Sequence, residues 1–244
     1  MKLTKEQFIY NLKEEALNIG LTLNIGQLEK LYEYKELLVK WNENINLTAI
    51  TDDEEIIKKH IIDSLEAVKY IKTNSRVIDV GTGAGLPGII ISIYFEGNID
   101  ITLFDALNKR IIFLNEVIDK LNLKNTYAVH GRAEEKSRED EFRESYDVVI
   151  SRAVATLNVL LEITIPFVKV HGTCIFMKGD KAEEEIISSK SAITKLGVKI
   201  KTVDEYYLNV NKEQIKHTFI VIQKYTHTDL KYPRQFAKIK KNPL

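Results

Sequence analysis

The run Val77-Ile78-Asp79-Val80-Gly81-Thr82-Gly83-Ala84-Gly85-Leu86-Pro87-Gly88 limits what this chain can fold into more than any other feature. A short β-branched segment enters a glycine cluster and leaves it as an apolar stretch, the pattern of a strand, a tight turn and a helix. Glycine permits positive φ and lets a ligand approach the backbone, while the first turn of the helix offers N–H groups with no partner inside it. Pro87 suits that first turn, where a missing N–H costs nothing. The segment reads as a nucleotide-binding turn.

Its surroundings agree. After a turn at 72–75, short β-branched runs alternate with helical stretches, the signature of a parallel sheet with crossover helices. Strands are expected at 76–80, 100–105, 126–130, 146–151, 173–178, 198–208 and 217–223, with helices near 86–95, 108–121, 132–142, 154–170 and 181–196. Only 209–216 separates the last two strands, too short for a parallel crossover, so they should pair antiparallel. The fold class is α/β: a doubly wound, Rossmann-like, seven-stranded and mostly parallel sheet over 73–224.

Residues 1–72 read as an N-terminal helical extension. Thr4 with Gln7 and Asn24 with Gln27 form capping boxes, Phe8, Leu12 and Leu17 give an apolar stripe, and Gly20 suits a C-terminal cap. Leu28, Leu31, Leu38 and Trp41 mark the second helix, and 42–51 a polar loop. A third helix is expected from the acidic run at 52–55, carrying Ile56, Ile57, His60, Ile61, Leu65 and Val68.

The chain has 35 basic and 35 acidic residues, so a polyanionic partner would need a local cluster. From Lys224 onward there is one: Lys224, Lys231, Arg234, Lys238, Lys240 and Lys241 stand against Asp229 alone, making 225–244 a basic tail. Cys174 is the sole cysteine, which rules out an internal disulfide and a multi-cysteine metal site. Charges spaced through the first fifteen residues do not suit a signal peptide, and the longest apolar stretch, 86–95, is too short to span a bilayer. A cytoplasmic monomer without membrane contact or metal is expected.

Gly83, Gly85 and Gly88 also satisfy G-x-G-x-x-G, so the glycines alone suit either a dinucleotide or S-adenosylmethionine. Asp79 favours the second, because an acid two residues before the first glycine, near a donor's cationic end, is a methyltransferase feature. The reversed terminal hairpin points the same way. Asp105 closes the second strand twenty residues after Gly85, where an acid can bind ribose hydroxyls; capping the helix from Asn108 is its alternative role. His130-Gly131-Arg132-Ala133-Glu134-Glu135 follows the third strand, from which amides and an acid can read an adenine edge, with His130 a strand-end residue and no catalyst. Arg152 and Lys178 end the fourth and fifth strands on the ligand-facing edge of such sheets, with ordinary loop charge as the alternative.

Five segments in order resemble the bacterial ribosomal small-subunit methyltransferase G family, also called glucose-inhibited division protein B. They are Trp41-Asn42 with Asn46-Leu47-Thr48-Ala49-Ile50, then His60-Ile61-Ile62-Asp63-Ser64-Leu65, residues 79–88, Asp105-Ala106-Leu107-Asn108-Lys109-Arg110, and Ser151-Arg152-Ala153-Val154-Ala155. The resemblance implies methylation of N7 of one guanosine in the decoding-region loop of 16S rRNA, free or within the small ribosomal subunit, with S-adenosylmethionine as donor. It implies donor contacts from Gly81, Leu86, Ala133, Glu134 and Arg152, beside Asp79, Gly83, Gly85, Asp105 and Ala106. Ala106 is a small departure, since serine is common there in the family. His60, Asp63 and Ser64 fit the family's pattern without a chemical role, and capping on a helix surface is an equal reading.

Guanine N7 carries a free lone pair and no proton, so no general base is required. Arg152 and Lys178 are then expected to orient rather than to move protons. Two alternatives stay open: a nicotinamide-dependent oxidoreductase, on the overlapping glycine pattern, and a non-catalytic RNA-binding ribosome-assembly factor, on the basic tail.

Overall fold

Alternation within the first strand decides the layering. Val77 contributes to one apolar core, whereas Ile78 and Val80 contribute to a second on the other face of the sheet, as the two-residue pleat requires. In this computed structural model, which describes residues 2–211 and 213–244, the strands are β1 (Arg76–Val80), β2 (Asp100–Asp105), β3 (Thr126–His130), β4 (Tyr146–Arg152), β5 (Val168–Lys178), β6 (Val198–Val210) and β7 (Glu213–Lys224). Met1 and Lys212, which the readings of the N-terminal segment and the last turn include, lie outside the described residues.

The strands form one sheet in the order β3-β2-β1-β4-β5-β7-β6. The pairings among β1 to β5 are parallel, and β7 runs antiparallel to both β5 and β6. Strand order reverses between β1 and β4, so the carboxyl ends of these strands open a crevice where ligands bind in such sheets. Among the described residues no helix is long and apolar enough to cross a membrane.

Both N-terminal capping boxes are present, on helices Lys5–Asn18 and Ile25–Asn42. The buried stripe of the first is Phe8, Leu12 and Ala16, while Leu17 is 46% exposed; steps of four keep one face of a helix, and a step of five leaves it. The third helical segment departs more from expectation. Asp52 caps a turn at Asp53–Glu55, after which the chain winds as a π-helix over Ile56–Ile62, as α over Asp63–Leu65 and as 3-10 over Glu66–Tyr70. A wide π turn is rare and tends to accompany functional sites. Here it lies beside His60, Asp63 and Ser64, all three of them buried and not on a helix surface.

Three crossover helices are shorter than expected. That after β3 is only Ala133–Lys136. The stretch 154–170 splits into helix Leu157–Thr164 and a 3-10 turn Ile165–Phe167, with its last three residues in β5; Pro166 has no N–H with which to continue an α-helix. The stretch 181–196 forms Ala182–Ser188 and Lys190–Lys195, interrupted at Ser189, whose hydroxyl donates to the Glu185 carbonyl at 2.6 Å.

The C-terminal charges are less free than their count implies. Lys224 is fully buried, its ammonium 2.6 Å from Glu144 Oε1, 3.1 Å from the Ile165 carbonyl and 2.8 Å from that of Val168. Arg234 forks onto the wholly buried Glu162 at 2.8 and 2.6 Å, and Lys231 pairs with Asp229. Lys238, Lys240 and Lys241 remain exposed.

Burial works to raise Glu144, but hydrogen bonds from Lys224, His227 and the Thr228 N–H pull its carboxyl down to about 2. A depressed carboxyl contributes stability above its unfolded value and loses it as pH falls through its folded value. Glu144→Gln should therefore cost about 3 kcal/mol at pH 7, as for a broken buried pair. Thermal melting from pH 7 to pH 2 should show the gap between variant and wild type closing below about pH 4.5.

Candidate functional site

Asp79 lies near the end of β1, fully buried. Its Oδ2 accepts from the Thr82 hydroxyl at 2.7 Å and the Gly88 N–H at 2.8 Å, which ties both ends of the glycine loop to one carboxylate. Its Oδ1 is buried with no hydrogen-bond partner among the described residues. Burial pushes the Asp79 carboxyl up to about 6 against those two bonds. The loop is held from outside too: Gly81 and Thr82 donate to the Phe104 carbonyl, and Tyr34 of helix Ile25–Asn42 donates to the Ala84 carbonyl at 2.8 Å. Gly88 must lack a side chain, since a Cβ there would lie 2.3 Å from Leu103 Cδ2 and 2.8 Å from Asp79 Oδ2.

Asp105, also buried, braces the loop from β2. Its Oδ2 accepts from the Gly83 N–H at 2.9 Å and from Arg110 Nη1 at 3.0 Å, and its Oδ1 from the Leu107 N–H at 2.9 Å. Thus it bonds to the start of the following helix and to the loop at once, whereas Asn108 caps nothing. Gly81, Asp105, Ala106, Ala133 and Glu134 line a single pocket of about 140 Å³. Gly83 and Gly85 take positive φ of +61° and +88°, and Leu86 is buried beneath the loop. His130 ends β3 with its Nε2 3.1 Å from the Ala106 carbonyl.

Arg152 ends β4 and reaches away from this pocket. Its Nη1 donates to Asp63 Oδ2 at 2.6 Å and to the Lys59 carbonyl at 3.1 Å; Nε and Nη2 have no protein partner among the described residues. Asp63 also accepts at Oδ1 from the Tyr206 hydroxyl and from His217 Nδ1, the latter at 2.7 Å. Burial opposes its charge, yet the His217 bond and the Arg152 charge hold its carboxyl below the usual value. His60 is pulled down to about 4, first by burial and then by the Arg152 charge, so its imidazole is neutral at physiological pH. It shares a 2.8 Å hydrogen bond with the Thr48 hydroxyl.

Lys178 ends β5 but its ammonium is engaged, 2.5 Å from the Ala155 carbonyl and 2.8 Å from Glu185. It thereby fixes the loop after Arg152, in which Ala153 takes a left-handed φ of +55°. The pocket also contains Val154 and Phe236, neither singled out from sequence. Val154 belongs to a segment already marked by resemblance, whereas Phe236 is a lone aromatic in a polar tail and carries no local signal. Tyr206 and His217 were likewise silent, because only the paired β6 and β7 bring them to Asp63.

A seven-stranded sheet in this order, with a reversed β7 and a glycine loop after β1, defines a class I S-adenosylmethionine-dependent methyltransferase fold. Solved structures agree on the fold: an S-adenosylmethionine-dependent methyltransferase from Aquifex aeolicus matches with TM-score 0.52 at 16% identity, covering 78% of this chain and 97% of that one. TYW2 from Pyrococcus horikoshii matches with TM-score 0.53 at 14% identity, covering 67% and 61%. At the level of sequence, the family described as GidB, rRNA small subunit methyltransferase G, matches residues 27–215. Proteins named ribosomal RNA small subunit methyltransferase G are 49% identical in Acetivibrio thermocellus, over 95% of this chain and 94% of the relative, and 48% identical in Clostridium botulinum, over 94% and 95%. The chain belongs to the rRNA small subunit methyltransferase G family.

Because both neighbours of a Cβ at residue 88 are buried, Gly88→Ala should destabilise the fold by about 1–3 kcal/mol, as overpacking does. Urea unfolding should show the midpoint falling with an unchanged slope.

Proposed function

We propose that this chain transfers the methyl group of S-adenosylmethionine to N7 of a guanosine in the decoding-region loop of 16S rRNA. The observation that carries the reading is family membership along nearly the whole chain. The residues present fit the donor: Asp79 keeps a buried oxygen without a partner beside the glycine loop, and a pocket with two small apolar walls, Ala106 and Ala133, lies past β2. S-adenosylmethionine supplies a methyl group activated by a positively charged sulfur.

In this reading Asp79 faces the cationic end of the donor and Asp105 its ribose. A carboxylate offers about four lone-pair sites, and three on Asp105 are taken, so one hydroxyl can join and a second needs Arg110 to yield. Ala106 and Ala133 flank the flat adenine, and Glu134 with nearby amides reads its edge. Guanine N7 needs no base, so alignment and exclusion of water supply the rate gain. Arg152 is suited to orienting, since Asp63 anchors one side of its guanidinium and leaves Nε and Nη2 free for guanine O6 or a phosphate. Lys178 acts one step back, as a positioning residue for the loop that follows Arg152. The exposed Lys238, Lys240 and Lys241 provide phosphate contacts for the rRNA. The protein works without a metal, as a monomer in the cytoplasm, with 1–72 and 225–244 serving as substrate-facing additions to the catalytic domain at 73–224.

Labelled donor incubated with unmodified 16S rRNA or small subunits should yield labelled 7-methylguanosine on nucleoside mass spectrometry; label in another nucleoside, or none, would overturn the assignment. Arg152→Ala should slow single-turnover methyl transfer roughly 100-fold or more, the scale of lost alignment, and Arg152→Lys should also be impaired because a point charge lacks the planar fork. Both must be assayed well below their melting transitions, since Asp63 loses a partner. Raising the pH should rescue neither.

The raised Asp79 carboxyl adds a pH signature. It is charged only above about pH 6 in the free protein, and a cationic donor favours the charged form. Donor affinity measured by calorimetry should therefore rise between pH 5 and 7 and then level, and Asp79→Asn should abolish the slope.

A further inference from the structure

We infer that Phe236, delivered by the C-terminal strap, is a donor-binding residue whose ring forms the outer wall of the adenosine pocket. This rests on reading that pocket as the adenosine site. The strap crosses the molecule with an unusual amount of anchoring. Arg143 donates to the carbonyls of Thr228 at 2.8 Å, Asp229 at 3.3 Å and Tyr232 at 3.2 Å. Arg138 grips those of Leu230, Lys231 and Pro233. Arg234 then forks onto the buried Glu162 and returns to the Asn242 carbonyl at 3.0 Å. An exposed terminus needs none of this, because water would satisfy the same groups.

The helix Phe236–Lys241 that follows shows what the anchoring is for. Ile239 is fully buried in the core that also contains Phe104, Val80 and Ala133, whereas Phe236 stays 37% exposed at the pocket. A ring placed for folding would take the core position; here a smaller residue takes it and the aromatic is left half open, facing a pocket lined by Ala106 and Ala133. A flat, apolar, partly exposed ring beside small side chains suits a purine, which has an apolar face and a polar edge. Phe236 lies beyond residue 215, where the family match ends, so the strap is a contribution to the site from outside the matched segment. The ligand class is an adenine nucleoside carrying any 5′ substituent.

Contact between an aromatic ring and a base, at about the strength seen for single bases, corresponds to a roughly 10- to 100-fold change in affinity. The test is calorimetric titration of the full chain with S-adenosylhomocysteine and with adenosine alone. Phe236→Ala should weaken both ligands by that factor with an unchanged melting temperature. Phe236→Trp should restore binding, and Phe236→Leu should fall between. Leu230→Ala, at an exposed side chain of the same strap that lies outside the pocket, should leave both affinities as in wild type. Wild-type affinity in Phe236→Ala, or a loss that Phe236→Trp does not recover, would overturn the proposal while leaving the donor reading intact. Failure of the wild type to bind either ligand would instead overturn the donor reading, and this proposal with it.

Discussion

Asp63 is a carboxylate with almost no access to water, and a buried charge of that kind is tolerated only when it is fully partnered. Its donors come from three strands: Arg152 from the end of β4, Tyr206 from β6 and His217 from β7. One side chain of the N-terminal extension thus ties the extension to β4, β6 and β7 at once and holds one side of the Arg152 guanidinium. The π winding over Ile56–Ile62 belongs to the same arrangement, leading the chain into Asp63 with His60 turned inward to Thr48. Arg152, the residue proposed to orient the substrate, is thereby itself held by a carboxylate 89 positions away.

The glycine loop repeats the logic with two other carboxylates. Asp79 ties the two ends of the glycine loop together through Thr82 and Gly88, and Asp105 holds Gly83 between them. In the proposed reading, the carboxylates that meet the donor already order the backbone around it, which lowers the cost of ordering on binding. Tyr34 adds support from the extension at Ala84, so the N-terminal segment braces the glycine loop as well as Arg152.

The five segments that resemble the methyltransferase G family are joined by hydrogen bonds. Asn42 accepts from the N–H groups of Leu47 and Thr48, Thr48 reaches His60, Asp63 reaches Arg152, and Asp105 joins Arg110 to Gly83. His60 and Asp63 had no chemical role as isolated letters. Their role lies in these contacts, which lie far apart along the chain.

Much was determined by the sequence alone. Two capping boxes, the strand–glycine–helix run and the short final connection are local signals, and a strand formed over each expected β-branched run. The central parallel strands did so because burial on both faces requires continuous apolar residues, and the edge strand β6 because it alternates with the pleat, although β5 and β7 begin five and four residues earlier than expected. Asp79 and Asp105 were legible as local signals too, at set distances from the glycines. What only the tertiary structure decided depends on partners distant in sequence. The pairing of Lys224 with Glu144 and of Arg234 with the buried Glu162 turned apparent free charge into anchoring, and the ammonium of Lys178 went to Ala155 and Glu185. The return of the tail brought Phe236 to the pocket, since a lone aromatic in a polar segment has no periodicity to reveal it and acquires a neighbour only when the chain folds back.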